Sequence, residues 1–237
     1  MVKVETCYLN NGLHSMRDTP GYKKARTKPH LTEKNKQDRL TFSHSYHEYD
    51  FSTTIFVDEA VFQIGQPFYG WSWIGHAPSV ETYTHPPSVS VWGAITTTGK
   101  LNLTFYEGSL RQGSYQQLLQ EHLYPQAEAK WGQKAWIMAE DGAGCHNALS
   151  TKRDILKHAG DILQWPGSSP DLNPMENIWH VLKNEVYRRN PRNEAELRQF
   201  ILEEWNNLDN NLVIETVESF PGRVAMLLET EGEHIDY

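Results

Sequence analysis

The stretch TTIFVD, residues 53–58, is a run of β-branched and aromatic residues that stops at an aspartate. Such a run predicts a buried β-strand. The stretch AWIMAED, residues 135–141, has the same character and stops at Asp141. If the two strands are parallel neighbours, their carboxyl ends bring Asp58 and Asp141 side by side, where open α/β sheets bind ligands. The alternative is that both are ordinary polar residues at strand ends.

The order of elements around these two strands predicts the fold class. Residues 88–108 read as two strands around a turn at 97–100, and helical spacing follows over residues 114–132 and 148–160. Strands that alternate with helices after a hairpin favour a mixed α/β sheet with helices on its faces. Thr32 is a plausible N-cap for a further helix near the N-terminus.

Composition limits the function classes. The 237-residue chain carries a net charge of −8, which argues mildly against nucleic-acid binding. The charge is uneven, because residues 1–50 hold nine basic and six acidic side chains and the rest of the chain is strongly acidic. We expect no membrane span and no secretion signal, and the two distant cysteines indicate a reducing compartment.

A third acid, Glu176, occurs in the stretch WPGSSPDLNPMENIWHVLK, residues 165–183. Asn173 is a favoured N-cap, Pro174 suits the first helical position, and Glu176 has the spacing of a capping box. Met175 and Trp179 begin a buried helical face. The stretch alone therefore explains Glu176 as a structural residue and leaves a catalytic role open.

Two other motifs are rejected. GAITTTGKL resembles a phosphate-binding loop, but five residues separate Gly93 from Gly99, and Leu101 replaces the hydroxyl residue that would hold magnesium. Cys145 and His146 invite a zinc or thiol-nucleophile reading. Two cysteines are too few for a structural zinc site, and catalytic pairs usually meet across the fold.

Three carboxylates that converge on one point repel each other unless cations lie between them. Such clusters hold Mg²⁺, and two ions about 4 Å apart can support phosphoryl transfer. Neighbouring residues on a strand face opposite ways, so only one of Asp58 and Glu59, and one of Glu140 and Asp141, can enter the site. Mutual repulsion also predicts that Asp141→Asn leaves the metal-free fold intact or slightly more stable.

Four ordered stretches, FVDEAVF, SVSVWGAI, AEDGAGCHNA and WPGSSPDLNPMENIWHVLK, resemble the successive motifs of mariner-superfamily DNA transposases. The 34 residues between Asp141 and Glu176 match the spacing of one branch of that superfamily. The resemblance continues to the C-terminus and covers nearly all of the chain. Glu140 and Gly142 stand where relatives commonly have glutamine and asparagine, but the three carboxylates are intact.

The resemblance implies an RNase H-like catalytic domain over residues 51–237, preceded over residues 1–50 by the remnant of a DNA-binding region and a linker. It implies metal-dependent DNA cleavage and strand transfer in the nucleus, acting on transposon ends and target DNA, with a homodimer possible. The ions would be Mg²⁺, or Mn²⁺ as a substitute. The catalytic and metal-holding residues it implies are Asp58, Asp141 and Glu176.

The basic residues before position 40 are candidates for phosphate contacts, which position DNA without reading its sequence. They are Lys23, Lys24, Arg26 and Lys28. A solvated linker is nearly as good an explanation of them. Relatives begin with two helix-turn-helix units, of which only the tail of the second is recognisable, so we expect weak, salt-dependent DNA binding.

Two rival functions remain open at this stage. One is an inactive or domesticated remnant that binds DNA or a protein through the linker and the segment around Trp71 and Trp73. The other is a stand-alone RNase H-like nuclease that acts on a different nucleic acid.

Overall fold

The computed structural model describes residues 28–66 and 84–236. The strands are β1 (Thr54–Gln63), β2 (Ser88–Thr96), β3 (Gly99–Lys100), β4 (Thr104–Tyr106), β5 (Ile137–Ala139) and β6 (Asp161–Ile162). The helices are α1 (Glu33–Tyr46), α2 (Gln112–Leu118), α3 (Tyr124–Trp131), α4 (Gly144–Asn147), α5 (Leu149–His158), α6 (Pro174–Arg188), α7 (Glu194–Asn207), α8 (Asn210–Glu218) and α9 (Phe220–Glu229). A π-helical turn, Leu119–Leu123, joins α2 to α3.

Within the described residues, six strands form one mixed sheet in the order β3-β2-β1-β5-β6, with β4 also paired to β2. β1 pairs antiparallel with β2 and parallel with β5, and β5 pairs parallel with β6. The predicted fold class is confirmed. The predicted parallel pairing of the strands that lead to Asp58 and Asp141 is confirmed too.

β1 divides the core because its side chains alternate between the two faces of the sheet. Ile55 and Val57 pack with the helices between β4 and β6, α2, α3 and α5. Phe56, Ala60 and Phe62 pack with α6 to α9 on the opposite face. Both layers are buried, which explains why β1 reads as a continuous apolar run rather than as an alternating pattern.

The sequence placed Asp58 at the end of the first apolar strand, and that placement is wrong. β1 continues to Gln63, so Asp58 lies in the middle of a ten-residue strand. β5 pairs with β1 only over Thr54–Phe56, whereas β2 accompanies β1 along nearly its whole length. Asp58 therefore lies just beyond the last residue of β1 that pairs with β5. No described strand pairs with that edge of β1 beside Asp58.

Helix α1 confirms the N-terminal helix, and the Thr32 side chain accepts a hydrogen bond from the Asn35 backbone as its N-cap. The helix packs against α9. One of its side chains, Arg39, is fully buried and donates to Ser169, to both carboxylate oxygens of Asp171, and to the carbonyls of Gly232 and Glu233.

Several residues of the sequence analysis lie outside the described residues. They are Lys23, Lys24, Arg26, Trp71 and Trp73. The fourth basic candidate, Lys28, is described, and its ammonium group lies 2.7 Å from the carboxylate of Asp236 near the C-terminus. No described helix is both long enough and apolar enough to cross a membrane.

Candidate active site

A cavity of about 380 Å³ carries all three predicted acids in its wall. Asp58 comes from β1, Asp141 from the turn after β5, and Glu176 from the first turn of α6. Segment 165–170, together with Asn173 and the turn after Asp141, completes the lining. Three elements that are far apart in sequence thus direct their acids into one space.

Asp58 is held by three neutral donors, one from its own strand and two from the start of α6. Its Oδ1 accepts from the Glu59 backbone N–H at 2.9 Å. Its Oδ2 accepts from the Asn173 side-chain amide at 3.0 Å and from the Trp179 indole N–H at 3.1 Å. Burial, and then the negative charges of Glu176 and Glu59, raise the pKa of Asp58 to about 8. In the absence of a cation, this carboxyl group is therefore mainly protonated at neutral pH.

A glycine on β2 makes room for the indole that reaches Asp58. Gly93 lies directly opposite Asp58 in the antiparallel ladder. A Cβ atom at Gly93 would come within 2.7 Å of Cη2 of Trp179, which is closer than real carbon contacts allow. The glycine of the stretch SVSVWGAI is therefore explained by the close approach of Trp179 to the backbone.

Asp141 is held in a different way, by a buried histidine on α4. The Nδ1–H of His146 donates to Oδ1 of Asp141 at 2.8 Å, and the Ala143 backbone N–H donates to the same oxygen at 2.9 Å. The other ring nitrogen of His146 lies 3.3 Å from the carboxylate of Glu59. The hydrogen bond from His146 lowers the pKa of Asp141 despite partial burial.

His146 is an internal cation for a group of acids. It is 2% exposed, and burial alone would lower its pKa. The hydrogen bonds with Asp141 and Glu59, and the charges of Glu59 and Glu140, outweigh burial and raise the pKa of His146 to about 11. Glu140 in turn accepts a hydrogen bond from the Tyr115 hydroxyl at 2.6 Å.

The alternation predicted for the two acidic pairs fits this arrangement. Asp58 and Asp141 line the cavity with Glu176, whereas Glu59 turns towards His146 and Glu140 towards Tyr115. Glu59 lies on the same face of β1 as Ile55 and Val57, which face α2, α3 and α5. Each pair of neighbouring acids therefore presents one acid to the cavity and one to the opposite side.

Glu176 is directed by the start of α6, but not by the full predicted capping box. Asn173 caps the helix, because its side-chain oxygen accepts from the Met175 backbone N–H at 3.1 Å. The Asn173 backbone N–H donates to Pro170 rather than to Glu176, and the Glu176 carboxylate lines the cavity instead. Partial burial raises the pKa of Glu176, Lys183 lowers it, and Asp141 raises it further.

The family comparison agrees with this geometry. The family model for the DDE superfamily endonuclease matches residues 53–198, which contain all three acids. The chain is a DDE superfamily endonuclease. It is 30% identical over 221 residues to the Tc3 transposase of Caenorhabditis elegans, covering 90% of this chain and 67% of that protein. It is 24% identical over 233 residues to the Tcb2 transposase of Caenorhabditis briggsae, covering 93% and 82% respectively.

Solved structures show the same fold as this DDE endonuclease. The catalytic domain of Mos1 mariner transposase superposes with a TM-score of 0.71 at 14% identity, covering 89% of this chain and all of that one. A Mos1 paired-end complex with the left transposon end gives a TM-score of 0.75 at 15% identity, covering 92% and 68%. The predicted RNase H-like fold is thereby confirmed.

The carboxylates of this endonuclease fit a divalent cation by their chemistry. The donors are oxygens, and the negative charges of Glu176, Glu59 and Asp141 add to burial in raising the pKa of Asp58. Across residues 28–66 and 84–236, no group of three or more His, Cys, Asp or Glu side chains is arranged to hold a metal ion. A shared ion would therefore require these side chains to move closer together.

The sequence did not predict the residues that hold the acids. From the sequence, His146 reads only as a partner for Cys145, Asn173 only as a helix cap and Trp179 only as a core residue. A residue pattern along the chain could not reveal these contacts, since Asn173 and Trp179 reach Asp58 across more than one hundred residues. The glycine in SVSVWGAI was the one available signal of a close approach.

Proposed function

We propose that this chain is the catalytic part of a cut-and-paste transposase that cleaves DNA strands and transfers the freed 3′ end to target DNA. The observation that supports the proposal is that Asp58, Asp141 and Glu176 line one cavity in a DDE superfamily endonuclease. The Tc3 and Tcb2 proteins to which the chain is similar are transposases of transposable elements.

We propose that the three carboxylates hold Mg²⁺, or Mn²⁺ in its place. When bound, such ions activate the attacking water or hydroxyl group and stabilise the leaving oxygen of the phosphodiester. The Mos1 catalytic domain has been solved with Mn and with Mg in complexes with Raltegravir, which supports divalent metal use by relation.

The residues of this chain would contribute differently. Asp58 would give up its proton to a bound cation, because burial and nearby acids raise its pKa and a positive charge would favour the ionised form. Asp141 is already ionised and keeps its orientation through His146. Glu176 is exposed, and among the described contacts its carboxylate accepts no hydrogen bond, so it has the most freedom to approach.

DNA is the proposed partner, and the nucleus is the proposed location, since a transposase must reach genomic DNA. Mos1 paired-end complexes support a two-copy assembly on DNA as a further proposal. Lys183, on the α6 face that begins with Glu176, is near enough to lower the pKa of Glu176 and is suited to a phosphate contact. Lys23, Lys24, Arg26 and Lys28 remain proposed contacts, and Lys28 would have to leave Asp236.

A cleavage assay tests the proposal. The full chain is incubated with supercoiled duplex DNA, with and without Mg²⁺ or Mn²⁺, beside Asp58→Asn, Asp141→Asn and Glu176→Gln. We expect metal-dependent nicking by the wild type and none by the three variants. An RNA–DNA hybrid in parallel separates DNA transposition chemistry from a ribonuclease, because a nuclease of the second kind would degrade the hybrid and spare the duplex.

Two results would contradict the proposal. Nicking that persists in all three variants would show that these acids do not carry the reaction. A wild type that cuts neither substrate, and whose melting temperature ignores both metal ions, would favour the remnant that binds DNA or protein without cutting.

A further inference from the structure

We propose that Asn173 and Trp179 are positioning residues that select which oxygen of Asp58 receives a metal ion. The inference rests on the proposed function, because it assumes that Asp58 is a metal ligand. It concerns two neutral side chains of α6, neither of which carries charge into the cavity. Their two N–H groups converge on one oxygen, Oδ2.

The acceptor positions of Asp58 can be counted. A carboxylate offers about four lone-pair positions, two on each oxygen. Asn173 and Trp179 take both positions on Oδ2, and the Glu59 backbone N–H takes one on Oδ1. One position on Oδ1 remains, and it is the position open to a proton or a cation.

The two oxygens of Asp141 also differ in the hydrogen bonds that they accept. His146 and the Ala143 backbone both donate to Oδ1. Among the described contacts, Oδ2 of Asp141 receives no hydrogen bond. Each aspartate thus has one oxygen that accepts two hydrogen bonds from the protein and a second oxygen with at least one position left. That pattern is expected where outer hydrogen bonds orient carboxylate ligands.

The amide of Asn173 does more than helix capping requires. Capping needs only an oxygen acceptor, and serine, threonine or aspartate would supply one. Asn173 satisfies the cap with its oxygen and has its NH₂ group free to reach Asp58. One side chain therefore ties the acid of β1 to the helix turn that carries Glu176.

Trp179 is committed to the same contact by packing. It is 2% exposed, and the absence of a side chain at Gly93 lets its ring lie against β2 directly opposite Asp58. A buried indole N–H needs an acceptor. Asp58 is the acceptor, so the rigid core of the domain determines the orientation of the carboxylate.

The test compares two variants with two matched controls. Asn173→Ser keeps a good N-cap and loses the amide donor. Its control is Asn193→Ser, at the cap of α7, where the side chain accepts from Glu196. Trp179→Phe keeps an aromatic ring and loses the N–H. Its control is Trp205→Phe, whose indole N–H donates to the Leu101 carbonyl at 3.0 Å.

Two quantities are measured on the full chain with Mn²⁺ alone as the probe. One is the dissociation constant of Mn²⁺ from calorimetric titration, and the other is the melting temperature without metal. We expect Mn²⁺ binding to weaken by about tenfold or more in Asn173→Ser and Trp179→Phe, the usual range for outer-sphere partners of metal ligands. We expect wild-type Mn²⁺ affinity in both controls, although their metal-free melting temperatures also fall.

The outcomes separate this inference from the proposed function. If the wild type binds Mn²⁺ and Asn173→Ser binds it equally well or more tightly, the positioning role is wrong and the catalytic proposal stands. If the controls weaken Mn²⁺ binding as much as the variants do, the effect is general destabilisation and the inference is also wrong. If the wild type binds no Mn²⁺, the metal site itself is contradicted, and this inference with it.

Discussion

Asp58 on β1 and Asp141 in the turn after the parallel strand β5 are the same residue type, yet their surroundings are opposite. Asp58 is enclosed by neutral donors and nearby acids, and its pKa rises to about 8. Asp141 has the His146 cation as its nearest partner, and its pKa falls. The difference shows that position in the sheet brings the acids together, whereas the residues behind each acid decide its charge.

This contrast bears on the expectation that the three acids repel one another. The sequence suggested that Asp141→Asn would relieve repulsion and leave the metal-free fold intact or slightly more stable. In the structure Asp141 balances His146, so its removal would cost a favourable pair. The repulsion is concentrated on Asp58, whose pKa is raised by Glu176, Glu59 and Asp141 as well as by burial.

The largest expected effect is the loss of DNA nicking when either aspartate is replaced. Asp58→Asn and Asp141→Asn should each lower the rate of DNA nicking by about a thousandfold or more, because either change removes a ligand from metal chemistry worth several kcal/mol. Initial rates on supercoiled DNA at saturating Mg²⁺ measure this. A loss confined to one of the two variants would mean that the aspartates do not share one site.

The next effect concerns the cation behind Asp141. His146→Asn should destabilise the fold by about 2 kcal/mol, less than the full cost of breaking a buried pair because Asp141 is partly exposed. Denaturant unfolding measures it, with His158→Asn as control, since His158 also pairs with a glutamate but lies away from the cavity. An equal loss of unfolding free energy in both variants would show that His146 stabilises the fold no more than His158 does.

The pH dependence of the same variant has a definite sign. The folded pKa of His146 is raised from 6.5 to about 11, so its stabilising contribution is complete below about pH 6.5 and declines as the pH rises towards 11. The wild type and His146→Asn should therefore converge in stability at high pH. A stability difference that is constant from about pH 6 to about pH 10 would show that His146 is neutral in the fold.

A smaller effect, on the stability of the metal-free fold, should have opposite signs for the two aspartates. Without metal at about pH 9, Asp58→Asn should be more stable than the wild type by about 1 kcal/mol, and Asp141→Asn less stable by a similar amount. The raised pKa of Asp58 means that the wild type loses stability as the pH rises from about 4 to about 8. Parallel urea melts measure both variants, and shifts of the same sign would contradict the comparison.

The sequence predicted the mixed sheet because local patterns encode its strands, and the same patterns singled out three acids that line one cavity in the structure. Apolar runs that lead to Asp58 and Asp141 identified the parallel strands, and the N-cap at Asn173 located the helix of Glu176. It placed Asp58 at a strand end rather than within β1, because the continuous apolar run of a strand buried on both faces stops at that residue. The contacts of His146, Trp179 and Asn173 with the acids are tertiary, so no spacing along the chain could predict them.

The most direct test of the proposed metal site is the number of protons released when the metal ion binds. Because Asp58 holds a proton below its pKa of about 8, binding of Mn²⁺ at about pH 6.5 should release close to one proton from that carboxyl group, and at about pH 9 almost none. Calorimetric titration in buffers of different ionisation enthalpy, without oxygen, measures this number. Mn²⁺ binding with the same proton release at both pH values, or no Mn²⁺ binding at all, would contradict the claim that a cation takes the place of the proton on Asp58.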